Sequence, residues 1–388
     1  MTPPLQISRH YQELTQRPSQ ERRRAVVGIG NFDGLHRGHQ ALIRAVERAV
    51  QEGGAPRDRI ASILTFDPHP LRFFRRAPNP QLIYSVTDRV SLLNHVGIEQ
   101  VLLQRFDEAF ARLTPEAFVT QVLIDALCAQ HVVVGHDFAF GAKRAGKVDT
   151  LVELCARHQV RVEVIEAQLA PEVAGRAQNA RPLSSSWIRE LLTQGRVKEA
   201  ARYLGRPYHV RGVVRRGHQR GRQLGFPTAN LELLSEICPQ PGVYAGWLSW
   251  GEGPKASVIS VGNNPTFTHD HKLVARQPWS VEVHVLSTER HQRSERSLSP
   301  HPLNVSSPSE SYSSSESKRW LELYDLPVSL WFTERLRDVI SFQSLEDLKH
   351  QISADSYLAH QRLASLDQPL WPSDMLLLQD DRISPDDI

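Results

Sequence analysis

The chain has 388 residues, enough for two domains, and 40% hydrophobic against 23% charged residues is the balance of a globular protein rather than a disordered one. The formal net charge of +3 is too small to indicate nucleic acid by itself and suits an enzyme whose ligands carry phosphates. The three cysteines, Cys128, Cys155 and Cys238, are far apart, which argues against a disulfide framework or a zinc site. We expect them to be buried as small apolar residues.

No stretch reaches the length of a membrane span, and the Arg-rich start of the chain lacks the apolar segment of a signal peptide. We therefore expect a cytoplasmic protein that contacts no membrane. Residues 1–24 are polar and predict a loose arm, and residues 368–388 predict a second flexible tail.

The first half of the chain alternates strand-like and helical patterns. Short apolar runs predict buried strands at Ala25–Ile29, Ile60–Phe66, Ile98–Leu103, His131–Val134 and Val160–Ile165. Between the first two runs, His39–Gln51 carries apolar residues at helical spacing and is followed by two glycines. This alternation predicts an α/β domain with a parallel sheet over residues 25–205.

After Leu204 the pattern changes. A Gly-Arg-Pro break is followed by short strand-like runs separated by turn residues, at Tyr208–Val214, Val243–Trp250, Ala256–Val261, Val281–Leu286 and Val328–Phe332. They predict a small antiparallel barrel over residues 206–360. A final helix begins after Ser344, with Asp347 completing an approximate capping box and with Leu345, Leu348 and Ile352 on one side.

The first candidate site is the glycine-rich stretch Gly28–His39, which follows a strand and opens a helix. It departs from the dinucleotide fingerprint because Asp33 stands where the third glycine belongs, and no Gly-Lys-Ser/Thr of a P-loop follows. His36 and His39 lie three apart on one helix face, where backbone amides and the helix dipole favour an anion. The pattern predicts a triphosphate site that stabilises charge at the α-phosphorus. The alternative is a pair of surface histidines on an ordinary helix.

A second motif, Leu183–Arg189, supplies hydroxyls and a cation. Ser185 and Ser186 stand at a helix start and can donate to phosphate oxygens, and Arg189 faces the same way and can hold the β- and γ-phosphates. The alternative is a pair of N-cap serines with a solvated arginine.

These motifs carry a family resemblance. A strand followed by HxGH is similar to the Rossmann-like nucleotidyltransferase superfamily, and the string GNFDGLHRGH resembles the adenylyltransferase module of bacterial bifunctional riboflavin kinase/FAD synthetases. Thr65–Pro70, Gly135–Gly141 and Leu183–Arg189 resemble further motifs of that module in the same order, with Ser186 where the family usually has Thr. The hydroxyl survives that change.

The resemblance implies that FMN attacks the α-phosphorus of ATP, that pyrophosphate leaves and that FAD forms. His36 and His39 would be the catalytic residues, and Mg²⁺ would arrive with the ATP phosphates. Ten further residues would bind ATP or flavin: Gly30, Asn31, Phe32, Asp33, Gly34, Gly38, Asp137, Ser185, Ser186 and Arg189.

The second candidate site is the basic, glycine-rich stretch Arg215–Leu231, which runs into Pro-Thr-Ala-Asn. Thr228 and Asn230 point to one side if the segment is extended, and their oxygens suit Mg²⁺ shared with ATP phosphates. The alternative is a basic turn before a strand, with Thr and Asn serving turn geometry. The stretch resembles the riboflavin kinase signature, and the resemblance implies that Gly221, Arg222, Gly225 and Phe226 bind ATP or flavin.

Val281–His284 resembles the family strand that bears a catalytic glutamate. Glu282 would be the general base for the ribityl 5′-hydroxyl of riboflavin. The alternative is a solvent-facing strand carboxylate. After this strand the chain departs from the family: residues 287–318 intervene, and Asp325 stands where a Leu-Tyr-Gly glycine is expected. The missing glycine puts kinase efficiency in question more than adenylyl transfer.

The serine-rich insert 287–318 has few apolar residues, so we expect a disordered excursion between two barrel strands. A neutral surface loop, a lid beside the kinase site and a phosphorylation target all stay open.

The sequence as a whole predicts a bifunctional enzyme: riboflavin plus ATP gives FMN, and FMN plus ATP gives FAD. One alternative is that only the adenylyltransferase is active. Another is a basic RNA- or partner-binding protein on a retired enzyme scaffold, using Arg215, Arg216, Arg220 and Arg222. The stretch lacks the interleaved aromatics of such binders, so we expect small-molecule partners and no nucleic acid, and a homo-oligomer stays open.

Overall fold

The computed structural model describes residues 5–18, 23–52, 59–74, 80–169, 182–216, 226–251, 253–263, 279–286, 323–364 and 366. The insert 287–318, the tail 368–388 and three predicted site residues, Gly221, Arg222 and Gly225, lie outside these ranges. The chain divides into two compact units, Met1–Trp187 and Ile188–Ile388. The boundary at residues 205 and 206 stays a prediction.

The first unit is built on a parallel sheet of six strands in the order β1-β4-β3-β2-β5-β8, with β6 and β7 forming a separate two-stranded ribbon. Buried apolar runs form the central strands because helices cover both faces of such a sheet. The strands of this unit are β1 (Gln6–Ser8), β2 (Arg24–Ile29), β3 (Arg59–Asp67), β4 (Gln100–Arg105), β5 (Ala129–Gly135), β6 (Ala139–Phe140), β7 (Gly146–Lys147) and β8 (Arg161–Ile165).

The helices of this unit are α1 (Tyr11–Thr15), α2 (Arg37–Gln51), α3 (Pro70–Phe73), α4 (Val86–His95), α5 (Glu108–Ala111), α6 (Pro115–Ala117), a π-helix (Phe118–Ala126), a 3-10 turn (Ala142–Arg144) and α7 (Val148–Ala156). Helix α2 buries its apolar stripe, which includes Leu42 and Val46. Strand order reverses beside β2, because β3 and β4 lie on one side of it and β5 on the other. In open α/β sheets, ligands bind at the carboxyl ends of the strands at such a switch point.

The expectation of a loose arm over residues 1–24 is wrong for the part that the structure describes. Strand β1 pairs in parallel with β4 and forms one edge of the sheet, and the Gln6 amide donates to the Glu99 carbonyl at 2.9 Å. Leu14 of α1 is 2% exposed and belongs to the core. A three-residue polar strand shows no periodicity in sequence, so only its partner strand reveals it.

The second unit is a closed antiparallel barrel in the order β10-β13-β12-β11-β14-β9, as predicted. Its elements are α8 (Ser185–Thr193, which spans the border of the units), α9 (Val197–Leu204), β9 (Tyr208–Arg215), β10 (Ala229–Leu233), β11 (Gly242–Ser249), β12 (Lys255–Asn263), β13 (Trp279–Val285), β14 (Pro327–Arg337) and α10 (Leu345–Ala364). Strand β10 was not predicted as a strand. The sequence indicated only that Thr228 and Asn230 would point to one side if this segment were extended. Gly205 ends α9 with a φ of 75°, which a glycine adopts freely.

Helix α10 covers part of the outer face of the barrel, where its Ala359 and Leu363 pack with Val243 and Trp247 of β11. Ser344 caps it as expected, because its hydroxyl accepts from the Asp347 amide at 3.1 Å. The predicted apolar side is wrong at its start, since Leu345 is 64% exposed. The residues of α10 that contact the barrel begin further along the helix. The position of the barrel surface therefore decides which residues of the helix are buried.

The cysteines are free thiols. Cys155 and Cys238 are buried as expected, and burial raises the pKa of Cys155 to about 11 and that of Cys238 to about 12. Cys128 is half-buried.

Candidate active sites

The turn after β2 lies at the switch point of the sheet and is conformationally strained. Phe32 and Leu35 have φ values of 49° and 38°, a region that bulky side chains rarely occupy, yet both are buried. The Gly30 amide donates to the Leu64 carbonyl at 3.1 Å, and the Leu35 amide to the Phe32 carbonyl at 3.2 Å. Strain of this kind persists only where surrounding contacts determine the conformation, and it clusters at ligand sites.

The two predicted histidines lie together at the start of α2. His36 is the N-cap residue and accepts from the His39 amide at 3.4 Å. Their rings are stacked, with centroids 3.7 Å apart and planes 18° apart. A Cβ atom at Gly38 would approach the His36 ring to 3.1 Å, so glycine makes room for the imidazole. The arrangement gathers two imidazoles and the helix N-terminus at one point, which suits a developing negative charge.

Asp33, predicted as a ligand contact, is 2% exposed and makes hydrogen bonds within the α/β unit. Its Oδ1 accepts from the amides of Ile83 at 2.9 Å and Tyr84 at 3.4 Å. Its carbonyl accepts from the Ser185 hydroxyl at 2.9 Å. The first motif and the serine motif are therefore joined directly, although some 150 residues separate them.

The remaining predicted residues lie in the loop after β5 and in α8. Asp137 is exposed just beyond β5, the strand that pairs with β2. In the serine motif, Ser184 accepts from the Trp187 amide at 3.2 Å and so takes the capping role. Ser186 is exposed and Arg189 half-buried on α8.

Sequence reasoning missed Arg89 of α4, which is 2% exposed. Its Nη1 donates to the carbonyl of Asn31 at 2.8 Å, next to the strained turn. A single arginine in a helical stretch carries no motif, so no signal in the sequence marked this residue.

The barrel brings the predicted kinase residues into one row on its outer face. Asn230 of β10 is the cross-strand partner of Glu282 of β13, and Glu282 is in turn the partner of Ser260 of β12. Glu282 is exposed, while its neighbours Val281 and Val283 point into the barrel. Cβ atoms of such partners lie about 4.5–5.5 Å apart, so a carboxylate and an amide share one small area of surface.

The segment that leads into β10 is fixed by a buried histidine. The Nδ1 atom of His284 lies 2.9 Å from the carbonyl of Pro227, and its ring meets that of Phe226 edge-on with centroids 5.6 Å apart. Phe226 is buried and Thr228 is half-buried. Because Ala229 points into the barrel, Thr228 and Asn230 share the outer side, as alternation requires.

Asp325 occupies the turn position at which a glycine was expected. Its φ is 62°, in the left-handed region that Asp tolerates better than most side chains. Its amide donates to the Val214 carbonyl at 2.9 Å, and its carboxylate accepts from Arg215 at 2.6 Å. Arg215 also holds Glu232 at 2.7 Å. Asp325 therefore adopts a backbone conformation that favours glycine.

Fold and sites define a class: a two-unit transferase, with a nucleotidyltransferase-type α/β unit and a kinase-type barrel. The family model for FAD synthetase matches residues 18–174, and the family model for riboflavin kinase matches residues 204–363. A bifunctional riboflavin kinase/FMN adenylyltransferase of Escherichia coli (strain K12) is 30% identical over 92% of this chain and 97% of its own. The chain belongs to the family of bifunctional riboflavin kinase/FMN adenylyltransferases, and it is an enzyme with both activities.

Two further comparisons also cover most of this chain. The Bacillus subtilis (strain 168) protein of the same name is 28% identical over 89% of this chain and 95% of its own. The crystal structure of a macrolide-efflux protein from Streptococcus pneumoniae has a TM-score of 0.69 and 25% identity, and covers 91% of this chain and 98% of that one. Within the described ranges, no helix combines the length and apolar character needed to cross a membrane.

Proposed function

We propose that phosphorylation of riboflavin takes place on the outer row of the barrel, with Glu282 as general base and Thr228 and Asn230 as metal ligands. The observation that carries this proposal is the register that makes Asn230 and Glu282 cross-strand partners. The exposed carboxylate can accept the proton of the ribityl 5′-hydroxyl. The freed oxygen then attacks the γ-phosphorus of ATP, and ADP leaves.

Mg²⁺ is implied by this chemistry, and the residues fit it. Thr228 and Asn230 offer a hydroxyl and an amide oxygen on one face, which are hard donors that suit a metal also held by substrate phosphates. The ion would neutralise charge on the transferring phosphoryl group. Among the described residues, no group of three or more His, Cys, Asp or Glu side chains could hold a metal without such help.

In the α/β unit, the proposed roles belong to His36 and His39. A phosphate oxygen of FMN attacks the α-phosphorus of ATP, and pyrophosphate leaves. The imidazoles and the α2 amides stabilise the charge that develops on the phosphorus oxygens. The 3.7 Å stack of the two rings supports this proposal, because it directs both imidazoles to one small volume. Gly30, Gly34, Asp137 and Ser186 are proposed to line the ATP and flavin pocket, and Arg189 stays a predicted ATP-binding residue.

The remaining parts of the proposal are a cytoplasmic enzyme, small-molecule partners and no nucleic-acid ligand; a homo-oligomer is compatible with it.

The test uses the two activities of one chain as mutual controls. His39→Ala or His36→Ala should abolish FAD formation and leave FMN formation nearly intact, whereas His95→Ala, an exposed histidine in α4, should change neither. Glu282→Gln should lower FMN formation about a hundredfold or more and leave FAD formation from supplied FMN unchanged. FMN and FAD are separated over time by chromatography.

Glu232→Gln is the matched control for the barrel, because Glu232 is an exposed carboxylate on the outer side of β10. Unchanged FMN output from the Glu282→Gln enzyme would show that this carboxylate is structural. Loss of FMN formation in a folded His39→Ala enzyme would show that the activities are assigned to the wrong units.

A further inference from the structure

Arg89 is a buried cation beneath the β2–α2 turn. Its Nη1 donates to the Asn31 carbonyl at 2.8 Å and to the Thr65 hydroxyl at 3.2 Å. The Thr65 hydroxyl in turn donates to the same carbonyl at 3.1 Å. Three polar groups thus form a closed triangle, in which two donors hold one backbone oxygen.

The oxygen held by this triangle belongs to the residue that directly precedes the strained part of the turn. Phe32 follows it with a φ of 49°, a conformation that is strained for a non-glycine residue and persists only when surrounding contacts hold it. On the other side of the strain, the Asp33 carboxylate is fixed by the amides of Ile83 and Tyr84. The triangle and the carboxylate therefore hold the strained peptide from both ends.

Packing alone does not account for a cation at this position. Arg89 is 2% exposed, and its Nε is buried without a hydrogen-bond partner among the described residues. Burial lowers the pKa of Arg89, and the nearby Asp33 and Asp67 carboxylates counteract this effect. A buried ion is weak evidence for stability, since apolar residues of similar volume often stabilise a fold as well or better.

The charge of Arg89 also lies next to the turn of the first site, because Arg89 donates to the Asn31 carbonyl. Asp33 and Asp67 are carboxylates at the edge of the sheet where the triphosphate is proposed to bind, and each would repel it. The buried guanidinium of Arg89 offsets that negative charge from below, where solvent screening is weak.

We propose that Arg89 is a positioning residue for adenylyl transfer: it acts through the Asn31 carbonyl to hold the β2–α2 turn in its strained, reactive conformation and does not touch substrate. This inference rests on the proposed role of the β2–α2 turn in FAD formation. A misplacement of about 1 Å remote from the chemistry can cost about a hundredfold in rate, so the effect should appear mainly in kcat.

The experiment compares Arg89→Met, Arg89→Lys and Thr65→Val in the full-length enzyme, with Arg48→Met as control. Arg48 is an exposed arginine of α2, in the same unit, that pairs with Glu163 at 2.6 Å. For each variant, kcat and KM for FMN and for ATP are measured in FAD formation. Far-UV circular dichroism and thermal unfolding of each variant report whether the α/β unit is folded, and FMN formation from riboflavin in the same sample reports on the barrel unit.

We expect Arg89→Met to lower kcat for FAD formation about a hundredfold, with KM for FMN and the rate of FMN formation nearly unchanged. Arg89→Lys should recover about tenfold of that loss, because it restores the charge and one donor but not the planar fork. Thr65→Val, which keeps the branched shape, should lower kcat about tenfold by removing one donor to the carbonyl. Arg48→Met should have no effect.

Near-wild-type kcat in Arg89→Met would overturn the proposal, as would an Arg89→Lys enzyme no better than Arg89→Met. If Arg89→Met does not fold, as judged by loss of the wild-type circular dichroism spectrum, Thr65→Val decides, and a normal kcat there rejects the inference. A His39→Ala enzyme that still makes FAD would instead reject the proposed function of the turn itself.

Discussion

The ion pair between Arg337 and Asp355 holds helix α10 on the barrel, and it can be tested by a change that keeps the shape of the side chain. The guanidinium makes three contacts with the carboxylate, at 2.9, 3.1 and 2.7 Å. Gln351 donates to the same carboxylate at 2.9 Å. Asp355→Asn keeps the volume of the side chain and removes its charge, so no cavity complicates the result.

The magnitude follows from burial. The side chains of Arg337 and Asp355 are 21% and 6% exposed, so the pair lies near the surface but is mostly shielded. Two unit charges about 4 Å apart attract by about 4 kcal/mol at an effective dielectric constant near 20. Removing one member of a fully buried pair costs about 3–5 kcal/mol. Since Arg337 keeps some solvent and a bond to the Asp338 carbonyl, we expect a loss of about 2–3 kcal/mol.

Asp338→Asn is the matched control. Asp338 accepts from Arg335 of the same strand β14 at 2.7 Å, but its side chain is 78% exposed. An exposed ion pair contributes less than about 1 kcal/mol. The two substitutions are therefore chemically identical, and their sites differ in burial and in the number of hydrogen bonds that the carboxylate accepts.

The assay is equilibrium unfolding in urea, followed by tryptophan fluorescence. Trp247 and Trp331 are buried in the barrel unit and report on its unfolding. A fall in the midpoint at constant slope gives the change in the free energy of unfolding. If Asp355→Asn and Asp338→Asn lower the midpoint equally, burial does not set the strength of this contact and the reasoning is refuted.

Two further predictions concern the barrel. Thr228→Ala and Asn230→Ala should each lower FMN formation and be partly rescued by high Mg²⁺, because each removes one proposed metal ligand; a loss that is independent of Mg²⁺ concentration would contradict the assignment. Burial and the adjacent Arg206 and Arg211 hold the pKa of His209 well below its ordinary value of 6.5. Below pH 6.5 the unfolded chain therefore binds a proton that the folded chain does not, and this residue lowers the free energy of unfolding by about 1.4 kcal/mol per pH unit as pH falls. Urea unfolding at several pH values should show a smaller decrease for His209→Gln, and equal decreases would count against the assignment.

Much of the architecture was determined by local pattern. Buried parallel strands require continuous apolar runs, so β2, β3, β4 and β5 were visible in the sequence at nearly their observed positions. A glycine-rich turn between a strand and a helix has few structural uses, so the site around His36 and His39 was predicted from spacing alone. Short alternating runs likewise predicted the barrel.

Other features depended on contacts distant in sequence. Strand β1 exists because the edge of β4 has free hydrogen-bonding groups, and no periodicity in Gln6–Ser8 records this. Asp33 was predicted to bind ligand, and this stays a prediction; the structure adds that its carboxylate accepts from the amides of Ile83 and Tyr84. A side chain's partner is chosen by tertiary packing, and sequence spacing carries no information about it.

Asp325 and Arg89 are two further residues whose tertiary contacts could not be predicted from the sequence. The sequence indicated that a missing glycine would disturb a turn, but Asp325 adopts the left-handed conformation and pairs with Arg215. Arg89 belongs to no motif, yet the fold places it under the strained turn of the first site. Residue type, spacing and the family resemblance predicted which segments form the two sites. Only the tertiary structure decided which side chains hold those segments in place, because that depends on which distant groups share a buried volume.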